Sequence, residues 1–290
     1  MRHKRQRRCS SVVATHQDFE FTTRFTNSIT MKKSIFKTIA IALALCCSAA
    51  AQAQLSGVQT AATDGLKGNV KKTAVSIYTT MWRSGEIIKG LSTDLSYDDF
   101  GIIPNAETRQ YAADGSLASV ESTVDGIKSK FVYTHSGGKV TTEKRYDSGK
   151  LFSESVFTYD AAGNLANTKT TTYYEGSDPY TAEYPATAKN VKKNADGTVT
   201  EYGENGADYT IRDAAGKVLK TSVENEMDGY TDVRTYTYDN EGRLTKLAVD
   251  GVGTYDYKYV KADPQGNWTE MVVYRDGKAY RFVTRTVLYY

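Results

Sequence analysis

From about residue 70 onward, apolar and polar residues alternate with a period of two. In VGTYDYKYV (252–260), Tyr255, Tyr257 and Tyr259 share one face, and Thr254, Asp256 and Lys258 share the other. In LFSESVFTY (151–159), Leu151, Phe157 and Tyr159 lie opposite Phe152, Glu154 and Val156, and WTEMVVYR (268–275) sets Trp268, Val272 and Tyr274 together. This period marks half-buried antiparallel strands. Turn signals recur every 11 to 26 residues with no helical stretch between them, which argues against parallel βαβ units. The pattern predicts an all-β fold over residues 70–290: an antiparallel hairpin meander forming an extended, twisted and curved sheet. Residues 54–69 read as a flexible lead-in. Residues 175–187 (EGSDPYTAEYPAT), with two prolines, read as an irregular middle of the sheet.

The turns are spelled repeatedly. YAADGSL (111–117), YDSGKL (146–151), YDAAGNL (159–165), RDAAGKV (212–218) and YDNEGRL (238–244) share one signature. Looser copies are YTHSGGKV (133–140), NADGTV (194–199), ADPQGNW (262–268) and YRDGKAY (274–280). An Asp side chain bonds backbone N–H groups just ahead of it, and a Gly three positions later supplies positive φ where the chain reverses. The spelling predicts a type I turn closed by a glycine bulge. Tyr159, Asp160, Gly163 and Leu165, and again Tyr238, Asp239, Gly242 and Leu244, are its defining residues. The aromatic and aliphatic members pair across the hairpin end.

The front of the chain has a different character. MKKSIFKTIAIALALCCSAAAQAQ (31–54) places two lysines before a short apolar run and then Ala51-Gln52-Ala53, the layout of a secretory signal peptide cleaved between Ala53 and Gln54. The apolar run is shorter than the roughly 20 residues a bilayer-spanning helix needs. Residues 1–30 carry a basic cluster, Arg2 to Arg8, and read as an untranslated or disordered leader ahead of a start at Met31. Cleavage would leave 28 of the 37 Lys/Arg and 32 of the 34 Asp/Glu, turning a net +3 into −4. No clustered basic surface remains to attract nucleic acid. Cys9, Cys46 and Cys47 all precede the cleavage point, and neither Cys46 nor Cys47 follows the small residue a lipid-acceptor signal requires. The expected location is exported: periplasm, cell surface or medium.

Candidate chemistry is sparse. After cleavage one histidine remains, His135, read as a solvated turn residue, so Cys/His nucleophilic pairs and multi-histidine zinc sites are excluded. Carboxylate pairs such as Asp98 with Asp99, or Glu224 with Glu226 and Asp228, match the residue types of glycosidases and of weak calcium sites. Their turn-rich context favours a structural role. No cofactor or metal is expected, and the protein reads as non-enzymatic. The aromatic surplus offers one binding candidate, a platform of Tyr255, Tyr257, Tyr259, Trp268 and Tyr274, with ordinary core packing as the competing reading. A protein or a glycan of the cell envelope is the expected partner. Two other readings are weighed: a carbohydrate-processing enzyme and an outer-membrane β-barrel. For the barrel, the charged residues in RFVTRTVLYY (281–290) and VGTYDYKYV leave few faces suited to lipid. No stable membrane span is expected after cleavage. The terminal strand TRTVLYY is expected to be a sheet edge open to homodimer pairing.

The Y-D-x-x-G-[R/N/K]-L units resemble YD repeats, also called RHS repeats, of bacterial surface and toxin-delivery proteins. GLKGNVKKTAVSIY (65–78) and DPQGNWTEMVVYRDGKAYRFVTRTVLYY (263–290) resemble small exported repeat proteins of Bacteroidetes-type bacteria. The resemblance implies a curved β-repeat scaffold. The shell around a C-terminal toxin that large RHS proteins build is not implied, because the repeats are few and the chain ends on a strand.

Overall fold

The computed structural model describes residues 60–93, 101–124, 126–186, 190–203, 206–225 and 230–290. The signal segment with Ala53 and Gln54, the three cysteines, Asp98, Asp99, Glu226 and Asp228 lie outside the described residues.

Eighteen strands form one sheet. The first half comprises β1 (Val70–Arg83), β2 (Glu86–Thr93), β3 (Glu107–Tyr111), β4 (Leu117–Val124), β5 (Ile127–Ser136), β6 (Lys139–Asp147), β7 (Lys150–Tyr159), β8 (Leu165–Thr172) and β9 (Tyr180–Pro185). The second comprises β10 (Asn190–Lys193), β11 (Val199–Tyr202), β12 (Tyr209–Arg212), β13 (Val218–Asn225), β14 (Tyr230–Tyr238), β15 (Leu244–Val249), β16 (Gly253–Ala262), β17 (Trp268–Arg275) and β18 (Lys278–Tyr289). Every ladder is antiparallel.

The halves join on β1. One edge of β1 pairs with β18 over Val70–Thr79, and the other pairs with β3 near Thr73 and with β2 from Ile77 to Arg83. From there β3 to β9 step outward as a meander, and β18 back to β10 step outward on the other side. Along TRTVLYY, β1 pairs with Thr284–Tyr289 on one side, while the β17 ladder on the other side reaches only as far as Thr284.

The outermost strands are β9 and β10, in the region read as irregular. Laid flat, the ladders between them would span on the order of 75 Å. Yet Pro185 and Asn190 are five residues apart, a reach of at most about 18 Å. The sheet must curl to bring its ends together. Alternation of strand direction from β1 makes β9 and β10 run the same way. Parallel neighbours need a crossover of a dozen or more residues, so these two cannot pair, and the sheet curls without closing into a barrel. Pro185 sits at the edge, where its missing N–H costs no ladder bond.

Directly opposed residues share a face, so the registers trace a continuous inner face. It carries Tyr259, Met271, Val283 and Ile77 in one row across β16, β17, β18 and β1. Leu247, Val249, Tyr255, Tyr257 and Val273 extend the same cluster, and Ile102 and Ile103 of the loop before β3 cover it. Each fully buried aliphatic side chain contributes roughly 1.5–3 kcal/mol. The Tyr257 hydroxyl donates to the Ile102 carbonyl and pins that loop. Gly101 supplies the positive φ (68°) of that loop, which L side chains rarely adopt.

The segment ahead of β1 is tied down from residue 60. Ala61 N–H donates to the Gly115 carbonyl (2.9 Å), Asp64 receives bonds from Arg109 and Tyr111, and Lys67 exchanges two bonds with the Asn267 side chain.

Candidate functional site

Four of the repeated turns share one geometry. In YDNEGRL, the Asp239 N–H donates to the Arg243 carbonyl (2.9 Å) and the Gly242 N–H to the Asp239 carbonyl (2.9 Å), with Gly242 at φ 80°. Asp239 Oδ1 accepts from the N–H groups of Glu241 and Arg243 at 3.0 and 2.9 Å. Asp160, Asp213 and Asp263 repeat this geometry. A bulge falls just beyond the turn in each case, between Thr158 and Tyr159, Ile211 and Arg212, Thr237 and Tyr238, and Lys261 and Ala262. Three of the spellings are a different turn. Ser148-Gly149 and Asp276-Gly277 have positive φ at both residues, as do Gly137-Gly138, which marks two-residue hairpins of the mirror-image type. There Asp or Ser directly precedes Gly, so no room exists for the longer bulged loop.

In three units the inward tyrosine also reaches the neighbouring strand. Tyr159 Oη donates to the Val140 carbonyl (2.7 Å), Tyr238 to Val218 (2.8 Å) and Tyr259 to Leu244 (3.0 Å). In each case the acceptor belongs to the residue after the basic position of the preceding unit. That basic residue lies over the same ring: Lys139 on Tyr159, Lys217 on Tyr238 and Arg243 on Tyr259, at 4.8, 5.6 and 4.9 Å. His135 occupies the tyrosine's place in its own unit. It is a β5 strand residue rather than a turn residue, and its Nε2 donates to the Leu117 carbonyl at 2.7 Å. The repeat thus encodes its own neighbour contact, which the spelling alone did not disclose.

Charges are sorted by face. The inner face uses arginines paired along the strand or through the lead-in: Arg109 with Glu107 (2.6 Å) and Asp64 (2.8 Å), Arg145 with Asp147 (2.9 Å) and Arg234 with Asp232 (2.6 Å). Burial alone would weaken the Arg109 charge, but Glu107 and Asp64 raise its pKa well above the ordinary value. Burial and Asp64 push the Tyr111 phenol up as well. The outer face uses lysines paired directly across the ladder: Lys130 with Glu121, Lys144 with Glu154, Lys169 with Glu183, Lys246 with Asp256 and Lys261 with Glu270. Guanidinium tolerates partial dehydration and fixed geometry better than the strongly hydrated ammonium, which explains the sorting.

The aromatic platform is brought together only in part. Tyr255, Tyr257, Tyr259 and Trp268 share the inner face, but Tyr255 and Tyr257 are buried in the core. Tyr274 lies opposite Asp256 on the outer face. Two register shifts, between Tyr259 and Lys261 and between Lys261 and Ala262, turn Trp268 inward against Tyr259 (centroids 6.1 Å apart). Strict alternation had grouped Trp268 with Val272 and Tyr274; the bulges break that parity. Burial holds the Tyr259 phenol up at about 12. Arg285 then stacks on Trp268 at 4.0 Å and donates Nε–H to the Trp268 carbonyl at 3.0 Å. The result is a row of Arg243, Tyr259, Trp268 and Arg285 at the end of the inner face. Of the proposed carboxylate groups, Glu224 is exposed and its N–H is held by Asp208 (2.7 Å).

The turn aspartates give a pH test. Burial would raise the Asp239 pKa, but the Arg243 N–H and guanidinium and the Glu241 N–H together hold it below the ordinary carboxylate value. A depressed folded pKa contributes stability that is complete above the unfolded value of about 3.9 and is lost as pH falls through the folded value. Asp239→Asn is expected to cost about 1 kcal/mol at neutral pH. Urea unfolding should show the gap from wild type narrowing below about pH 4; a gap that persists in acid would show that the charge is not what holds the turn.

No family model matches the chain, and no curated protein matches it. Among solved structures, a porin-like protein from Bacteroides uniformis aligns at 12% identity and TM-score 0.37, over 77% of this chain and 99% of that one. A chain of the TcdB2-TccC3-Cdc42 complex aligns at 14% identity and TM-score 0.17, over 60% of this chain and 13% of that one. At these TM-scores neither likeness carries a functional inference.

Proposed function

We propose that the protein is an exported, non-enzymatic β-repeat scaffold of the cell envelope that binds a protein or glycan component there. The observation that supports this reading is the use made of the repeated polar residues. Turn aspartates are occupied by backbone N–H groups, inward tyrosines by carbonyls of the neighbouring strand, and the basic residues by tyrosine rings. Such groups set the shape of a sheet rather than a reaction. The signal-peptide layout of residues 31–54 supports export.

The curled sheet favours a second reading, an outer-membrane barrel. Its outer face, however, carries five directly opposed Lys–carboxylate pairs on β4 to β9 and β15 to β17. A lipid-facing surface must be apolar across a band about 25 Å tall. Fractionation of native cells, with a carbonate wash, surface protease shaving and mass spectrometry, separates the two. The scaffold reading expects release by carbonate and a mature chain beginning near Gln54. Retention in the outer membrane after carbonate would sink it in favour of the barrel.

A further inference from the structure

We propose that Arg285, with Trp268 and Tyr259, anchors a binding site for a uronic-acid sugar, a pyranose ring bearing a carboxylate. This deepens the scaffold reading and rests on it for the envelope glycan as ligand class.

The carboxylate assignment comes from a guanidinium that no carboxylate contacts directly, Asp263 being near enough only to raise its pKa. On the inner face, Arg275 uses the Tyr255 ring and the Val252 carbonyl, while Arg109, Arg145, Arg212 and Arg234 each have a carboxylate oxygen within 3.6 Å. Arg285 has none among the described residues. Its Nε is used by the Trp268 carbonyl, while Nη1 and Nη2 make no hydrogen bond there and neither is sealed from solvent. The acids nearby are already engaged. Asp263 accepts from the Gln265 and Asn267 N–H groups and from the Tyr289 hydroxyl, and Asp64 is taken by Arg109 and Tyr111. Burial pushes the Arg285 pKa down to about 10, still far above neutral, so the group is charged and partly dehydrated. A partly dehydrated cation held by one carbonyl and one ring gains from an anion in direct contact. The two free nitrogens form the fork that a carboxylate accepts in bidentate fashion.

The sugar assignment comes from the surroundings. The Trp268 and Tyr259 rings lie beside the guanidinium, and Tyr111, Tyr259 and Tyr289 lie near enough to influence its charge. Flat apolar ring faces suit a pyranose ring. The stack is fixed from behind by Arg243 over Tyr259 and by the Arg285 bond to the Trp268 carbonyl, so the site is preorganised.

The chain contains two tryptophans, and Trp82 is exposed on the β1–β2 hairpin. In a Trp82→Phe background, Trp268 emission therefore reports on this site alone. Titration with trigalacturonate should give a saturable emission change that weakens as salt is raised. Neutral galactotriose should give none. Arg285→Gln should lower affinity for trigalacturonate by about tenfold or more, and Arg285→Lys, which keeps charge but not the fork, should fall between. Near-ultraviolet circular dichroism checks that both variants keep the wild-type fold; if Arg285→Gln does not, the Arg285→Lys ordering carries the comparison. The proposal is overturned by no saturable change, by an equal response to galactotriose, or by unaltered affinity in the folded variants. Equal binding of triglutamate would overturn the sugar assignment. These titrations use purified protein, so their failure leaves the fractionation result standing, and the reverse also holds.

Discussion

Asn267→Ala is expected to lower the free energy of unfolding by about 3 kcal/mol, a large effect for one polar side chain. Asn267 is 2% exposed, and its amide spans three parts of the fold. Oδ1 accepts from the Lys67 N–H at 2.8 Å; Nδ2 donates to the Lys67 carbonyl at 2.9 Å and meets the Tyr289 hydroxyl at 2.6 Å. The lead-in is thereby latched to the β16–β17 turn and to the end of β18. Alanine would leave a part-buried backbone N–H and carbonyl of Lys67 without partners, and each orphan costs about 1–3 kcal/mol. The loss should show as a lower urea midpoint and as faster amide exchange in residues 60–69. Asn267→Asp keeps the acceptor but loses the donor and sets a second carboxylate beside Asp263, so it should also destabilise, and less so in acid. An Asn267→Ala protein within about 0.5 kcal/mol of wild type would show that the latch is not needed.

Much of this architecture was legible because each hairpin is a local event. Tyr238, Asp239, Gly242 and Leu244 lie within one turn, and the chemistry of Asp and Gly there leaves few alternatives. The all-β class and the curved sheet follow from the same local rules. What escaped was non-local. The addition of β1 to β18, which covers one side of TRTVLYY, depends on residues about 200 positions apart. The register shifts that turn Trp268 inward depend on how β16 meets β17. Period-two reading assumes an unbroken pleat, and a single bulge flips every side chain beyond it. The inner arginine site was missed for a related reason. Glu107-x-Arg109, Arg145-x-Asp147 and Asp232-x-Arg234 are visible as same-face pairs along single strands, but the lack of any such partner for Arg285 becomes visible only once all its neighbours are placed. The loop at 101–106 carries two adjacent isoleucines, a signal that it packs inward rather than projecting into solvent.

Tyr255→Ala is expected to cost about 3–5 kcal/mol, in the range of large aromatic truncations in a core. The tyrosine-rich stretch of β16 admits two readings, a ligand platform and a packed interior, and this substitution separates them. The Tyr255 side chain is fully buried, opposed across the ladders by Leu247 and Arg275, with the Tyr280 ring 6.1 Å away and the Arg275 guanidinium over its face at 5.7 Å. Tyr280 reaches this place because the bulge between Val273 and Tyr274 lets it fold inward beside Arg281. Truncation would open a cavity bounded on several sides by strand backbone, which cannot collapse to fill it. Tyr274→Ala removes a residue of the same type from the same pair of strands, but on the outer face opposite Asp256, and should cost about 1 kcal/mol or less. A platform would give the opposite order, with both variants folding nearly normally and losing ligand. Chemical denaturation of the two single variants, followed by circular dichroism, reads the difference directly. Comparable small losses would return β16 to the platform reading; a large loss at Tyr255 alone leaves Tyr259 and Trp268, at the end of the row, as the aromatic pair free to meet a ligand.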